Sequence, residues 1–459
     1  QNRDTQQALF PDNAYGLDSG GDPRCIPHLD FEYFQSYHAR YYHPSNSRIW
    51  FYGNDEPLKR LDILAEYLDQ FEKIPIVASV MPQPKWDTPR KKTFYFAASD
   101  YDAEDDATTN AKKGYIAVSW LLTEDKANAE EELGLGFLNY LLMGTSSSTL
   151  RKALMDSGLG SSVIGHGMDH QLLQATFSAG LKDVAPADAE KVEALIMDVF
   201  HEVAKSGFTE EEVVAAINII EFTMRENNTG DTPRGLVLML QSMTSWLYGK
   251  DPFESLYFER PLAELKARIK ADPNYFQTMV RHYFLDNSHR LTIEHLPSST
   301  LGKEMEEEER ARLAAAKATM SEEDIQRILA DTIALKEIQE TPDSAEVLAK
   351  VPAIKLSDIP RQREDITPKS IVQVGNTAEM LVHDLPTNGL GYVEFGLPLN
   401  FTSAEECKEL LPYLPILCRG FRTLGTSKYD EAALNQYITT HTGGLAVSPS
   451  ILEAYDGSL

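Results

Sequence analysis

Tyr41-Tyr42-His43-Pro44-Ser45-Asn46-Ser47-Arg48-Ile49-Trp50-Phe51-Tyr52-Gly53 reads as a helix end, a break and a strand. Phe31 to Tyr42 has helical spacing, Pro44-Ser45-Asn46 stops it, and Arg48 to Tyr52 alternates before Gly53. Asn287-Ser288-His289-Arg290-Leu291-Thr292-Ile293 is again a turn entering a strand. A second pair of segments also matches. Gly144-Thr145-Ser146 lies between two helical patterns and leads to Ser157-Gly158, while Gly425-Thr426-Ser427 does the same and leads to Thr442-Gly443-Gly444. Together the pairs suggest one α+β unit used three times. Repeated units packed around each other would enclose a space fit for a ligand.

Outward from this stretch the chain alternates between the two periods. Asn2 to Leu9 reads as helix, Pro11 to Pro23 as loop, and Leu58 to Phe71 as a helix with Leu61, Leu64, Leu68 and Phe71 on one face. Pro-rich Ile74 to Arg90 is a linker. Strands follow at Thr93 to Phe96, Tyr115 to Leu122 (Ile116, Val118 and Trp120 on one face) and Gln174 to Leu181, with an acidic loop at Asp100 to Asp106. Helices are expected at Glu131–Met143, Thr149–Met155, Ala187–Lys205, from Thr209 on, at Gly235–Tyr248 and at Leu262–Tyr283, and a strand at Arg290–Glu294. Thr209 with Glu212, and Ser321 with Asp324, are capping-box signatures. Leu301 to Glu340, dense in Glu, Ala, Lys and Arg, predicts two exposed helices forming an antiparallel hairpin. Strands are expected at Met380–Asp384 and Gly391–Leu397, and a helix at Glu405–Leu424. The expected division is 1–73, 92–297, 301–340 and 371–459, with the last domain truncated.

At 459 residues the chain is long enough for two or three domains. Its net charge of −27 argues against nucleic acid as a partner and would draw cationic ligands such as basic peptides, although acidity also serves plain solubility. No apolar run is long enough to cross a bilayer. Cys25, Cys407 and Cys418 are too few for a disulfide scaffold and fit a reducing compartment; Cys418 sits in an apolar helical pattern and reads as core. The chain opens on Gln1 without Met or a signal-like segment, so a fragment or processed product is expected.

One stretch imitates a catalytic motif. His166-Gly167-Met168-Asp169-His170 looks like inverted zincin H-x-x-E-H with Asp for Glu. That chemistry needs both histidines one helical turn apart and a carboxylate long enough to activate the zinc-bound water. Gly160, Gly165 and Gly167 argue against a helix, each costing about 1 kcal/mol relative to Ala, so a turn between strands with surface histidines is expected. His38 and His43 are five apart, with the helix-breaking Pro44 just after the second, and cannot share a metal from one helical turn. There is no G-x-S-x-G, P-loop or complete dinucleotide fingerprint. Alone, these residues describe a scaffold or peptide-binding piece with no catalytic constellation.

A resemblance adds to this reading. Gln7-Ala8-Leu9-Phe10-Pro11, Tyr15-Gly16-Leu17-Asp18-Ser19-Gly20-Gly21-Asp22-Pro23, the opening stretch above, Asp156-Ser157-Gly158-Leu159-Gly160, Arg225-Glu226-Asn227-Asn228-Thr229-Gly230, Pro233-Arg234-Gly235-Leu236 and His441-Thr442-Gly443-Gly444 resemble, in order, subfamily C of the M16 (pitrilysin-type) zinc metallopeptidases. The resemblance implies four related α+β domains in two halves, joined by a helical hairpin and closing around a peptide chamber. It implies endoproteolysis of unstructured, often basic targeting peptides in the mitochondrial matrix or chloroplast stroma, by an enzyme monomeric when full length. It also implies one zinc, held by the two histidines of H-x-x-E-H and a later glutamate, with the motif glutamate as general base. No residue here matches these positions. The expectation is therefore no catalytic and no metal-binding residue in this chain, with the zinc ligands outside it. The competing readings are a non-catalytic M16-like subunit or peptide-binding protein, and a metal site at His166 and His170.

Overall fold

The central strands form where the chain is most apolar, and the helices of the core carry an apolar stripe at a 3.6-residue period. The computed structural model describes residues 2–98, 114–362, 366–375, 378–399 and 401–450. In chain order its first helices are α1 (Asn2–Leu9), α2 (Phe31–Tyr41) and α3 (Pro57–Leu68), followed by strands β1 (Arg90–Ala97) and β2 (Gly114–Leu121). Next come α4 (Ala129–Asn139), α5 (Thr149–Asp156), β3 (Ser162–Asp169), β4 (Thr176–Val184), α6 (Ala189–Ser206), α7 (Glu210–Glu226), α8 (Arg234–Trp246), α9 (Glu259–Ala271), α10 (Tyr275–Val280) and β5 (Arg290–Ser298). Then follow α11 (Leu301–Ala318), α12 (Glu322–Glu340), α13 (Ala345–Leu348), β6 (Ser370–Val374), β7 (Ala378–Val382), α14 (Ala404–Leu410), α15 (Leu414–Thr423) and α16 (Glu431–His441). The architecture is α+β.

The chain forms two compact units, Gln1–Ser298 with Leu390–Leu459, and Ser299–Gly389. The first is built on a sheet of order β1-β5-β2-β4-β3, in which β1 runs parallel to β5 and the other pairs are antiparallel. Central β2 is buried almost end to end, as its apolar composition dictates. Ile116, Val118 and Trp120 share one face, as their spacing predicts, and join a core supplied mainly by α4, α5, α6 and α10. Phe200 and Phe284 stack there at 4.3 Å, Trp120 meets Phe284 edge-on at 5.4 Å, and the Trp120 indole N–H donates to the Phe284 carbonyl at 3.2 Å. The indole thus keeps a hydrogen-bond partner in an apolar interior. The opposite face of the sheet is covered from the front of the chain. Ala8, Leu9 and Phe10, at the end of α1 and just beyond it, pack with Trp86, Leu121, Leu291 and Ile293.

The second unit carries α11, α12, α13 and an antiparallel β6–β7 pair with Ser370 opposite Val382. Neither α11 nor α12 buries a side chain. The capping box at Ser321 is present, with the Asp324 N–H donating to Ser321 Oγ at 3.1 Å.

Several expectations change. Arg48 to Tyr52 and Gly391 to Leu397 are not strands, because no strand lies beside either among the described residues and a ladder needs a partner. The helix expected over Leu262–Tyr283 breaks at Asp272-Pro273, and that over Glu405–Leu424 at Leu411-Pro412, where proline removes a donor. The acidic loop Asp100–Asp106 lies outside the described residues. Cys418 is half-buried rather than core.

Candidate functional site

Four of the five residues of the zincin look-alike, His166 to Asp169, lie in β3 rather than in a turn, and His170 follows it. Ile164 pairs with Gly180 and Gly167 with Ser178, so β3 holds one residue more than β4 between these rungs. This is a β-bulge. Gly165 and Gly167 adopt φ of 95° and 65°, a left-handed region open to glycine. A Cβ on Gly165 would lie 2.4 Å from the Ser178 carbonyl oxygen. Asn139, at the end of α4, pins the bulge by accepting from the Met168 N–H at 2.9 Å.

The bulge and the strand end send the two histidines to different partners. His166 is exposed, with Nε2 3.0 Å from Asn2 Nδ2. His170 contributes its carbonyl to Lys126 Nζ at 2.7 Å, and that ammonium, whose side chain is 4% exposed, also pairs with Glu132 at 2.6 Å. Among the described residues no group of three His, Cys, Asp or Glu side chains converges as a metal site. Among the described residues the zinc implied by the resemblance thus finds no ligand set. His38 stacks on Tyr42 at 4.8 Å, and His43 Nδ1 accepts from the Ser45 N–H at 3.1 Å, so both serve the helix end.

Two surfaces could hold a peptide. The first is β3 itself: as the last strand of the sheet it has β4 on one side and, among the described residues, no strand on the other. Such an edge offers unpaired N–H and C=O groups to an extended chain. The second is a cavity of about 910 Å³ whose walls include Ser147, Thr209, Glu211, Cys418, Arg419 and Gln436. It lies where α7 and α16 pack together, with Gln436 Nε2 donating to the Glu211 carbonyl at 3.0 Å and Asn218 Nδ2 to the Thr440 carbonyl at 2.5 Å. The Gly144-Thr145-Ser146 turn borders it, so one of the two look-alike turns shapes this wall.

Buried ionisable groups gather elsewhere. Burial and the Tyr15 hydroxyl, 2.6 Å away, raise Tyr248 above the usual tyrosine range. Burial pushes His289 down to about 4, and lowers His295 as well. Sequence reading passed over both histidines. Their even spacing, which puts them on one face of an extended segment, was the available signal.

Residues 28–220 match the family model of the peptidase M16 inactive domain, and residues 296–458 that of the associated region of M16 subfamily C. The chain belongs to the M16 peptidases. This M16 chain is 43% identical to presequence protease 1, chloroplastic/mitochondrial, of Arabidopsis thaliana, over 97% of its own length and 41% of that protein's. It is 32% identical to protein HypA of Clostridium perfringens (97% of this chain, 44% of that one) and 33% identical to the mitochondrial presequence protease of Danio rerio (97% and 42%). It thus spans roughly two fifths of the length of these relatives. Among the described residues, no helix of this M16 chain is long and apolar enough to cross a membrane.

Proposed function

We propose that this chain is a non-catalytic part of a zinc endopeptidase that degrades unstructured targeting peptides in the mitochondrial matrix or chloroplast stroma. The observation that carries this reading is the 43% identity to a chloroplastic/mitochondrial presequence protease across 97% of the chain. The open edge of β3 supports it, since it suits an extended chain. So does the net charge of −27, which favours basic presequences. The proposed division is residues 1–73 as the end of a first M16 domain, 92–297 as a second, 301–340 as the hairpin between halves and 371–459 as the start of a third. The full-length enzyme acts as a monomer with one zinc, whose ligands lie outside this chain. The match to an inactive-domain model equally suits a non-catalytic M16 subunit or peptide-binding protein.

The test is to purify the chain, measure bound zinc by mass spectrometry, and follow binding and cleavage of a fluorescent basic presequence peptide. Binding without zinc or cleavage is the expected result. Stoichiometric zinc with cleavage abolished by His170→Ala would overturn it and move the chemistry to β3. Absence of binding would remove the peptide-wall role.

A further inference from the structure

Three histidines far from α1 in the sequence hold it against the sheet. His166 Nε2 lies 3.0 Å from Asn2 Nδ2, His295 Nε2 lies 3.0 Å from Asp4 Oδ2, and His289 Nε2 lies 3.2 Å from the Leu9 carbonyl oxygen. The start, first turn and end of α1 each meet one imidazole. Two of the three are interior: His289 is 0% exposed and His295 4%. His289 stacks on Trp86 at 3.8 Å and His295 on Phe94 at 5.3 Å. In both rings Nδ1 is buried with no hydrogen-bond partner. A carbonyl accepts and never donates, so His289 Nε2 carries the proton and its Nδ1 is bare. A second proton would create a buried imidazolium whose Nδ1–H has no acceptor, a cost that the structure escapes only by opening.

The charged surroundings do not rescue it. Around His289 stand Lys85, Arg90 (its guanidinium 4.1 Å from the Trp86 ring centroid) and Asp12, the two cations opposing protonation and Asp12 favouring it. Around His295, burial opposes protonation and Asp4 favours it. Neighbouring Glu294 is engaged by Lys91 at 2.7 Å. Exposed His166 meets α1 through the uncharged Asn2 side chain.

We propose that the two interior histidines, His289 and His295, form an acid-sensitive clasp, which keeps the segment from Asn2 to Tyr15 on the sheet while neutral and releases it, with the sheet intact, when protonated. Burial is the main cause that pushes His289 down to about 4 from an ordinary 6.5, to which it returns once the segment lifts. Between those values the open form binds more protons than the closed one. The clasp is therefore at full strength above about pH 6.5 and weakens as pH falls toward 4. From His289 alone, moving from about pH 7 to about 4.5 favours opening roughly fiftyfold.

Hydrogen exchange read by mass spectrometry on the whole chain, corrected for intrinsic rates, tests this. Protection of peptides within residues 2–15 should fall roughly fiftyfold from about pH 7 to about 4.5 while β2 and β4 keep theirs. His289→Gln, whose amide still donates to the Leu9 carbonyl but does not titrate, should flatten most of that fall. An unchanged fall in this variant, no fall in the parent, or simultaneous loss across β2 and β4 each overturns the clasp. Should the variant fail to fold, exchange at the imidazole C2 position of the unaltered chain reads His289 directly. A midpoint well below 6.5 supports the proposal, and one at the ordinary value sinks it.

Discussion

A single methyl group on Gly180 would lie 1.9 Å from the Ile116 carbonyl oxygen and 2.7 Å from Ala117 Cα. Both are backbone atoms of the central strand, which cannot step aside. Gly180→Ala should lower stability by about 3 kcal/mol, seen as an earlier urea midpoint by circular dichroism. Lys126 makes a second residue-scale case. Its ammonium is enclosed between Glu132 and the His170 carbonyl. Lys126→Met keeps the stem's volume but strands a partly buried carboxylate, and should cost about 2 kcal/mol; recovery of that loss in Lys126→Met with Glu132→Gln is the check. Neither residue stood out in the sequence, because one-letter charge carries no record of burial. His166 and His170 stood out for the wrong reason. Their spacing fitted a helix; the glycines between and before them spoke against one and for a turn between strands, whereas those same glycines bend a bulged strand.

At the scale of elements, caps and local periods were legible. The boxes at Thr209 and Ser321 both formed, with the Glu212 N–H donating to Thr209 Oγ1 at 3.2 Å. They should nevertheless behave differently when cut. Thr209→Ala should destabilise the first unit by about 1 kcal/mol, since α7 packs on the core and on α16. Ser321→Ala should fray α12 without moving the main thermal transition, because α12 buries nothing; helicity by far-ultraviolet dichroism beside calorimetry separates the two. What the sequence could not supply was pairing across distance. Arg48–Tyr52 and Gly391–Leu397 alternate as strands do, yet alternation says nothing about the neighbour a strand needs. The second cover of the sheet, α1 with Phe10, was hidden for the same reason: its partners Leu291 and Ile293 lie far along the chain.

For the whole molecule, the charge of −27 sets how a basic peptide is met. Affinity for such a peptide should weaken steadily with added sodium chloride, as the screening length shrinks from about 10 Å at 0.1 M to about 3 Å at 1 M. Titration by fluorescence anisotropy, with a neutral peptide of equal length as control, reads this directly, and equal salt sensitivity of the two peptides would detach binding from charge. The bulge at Gly165–Gly167 has a further result at this scale. A sheet margin that admits a guest strand also invites the margin of another copy. One surplus residue breaks the even rhythm of donors and acceptors, so two rigid, regular margins fall out of step after a few rungs. A limp chain can bend round the kink and resume pairing beyond it. On the peptide-binding role proposed above, the kink would sort guests by suppleness, disfavouring the rigid margins of folded neighbours and sister molecules while leaving loose polypeptide a place to lie.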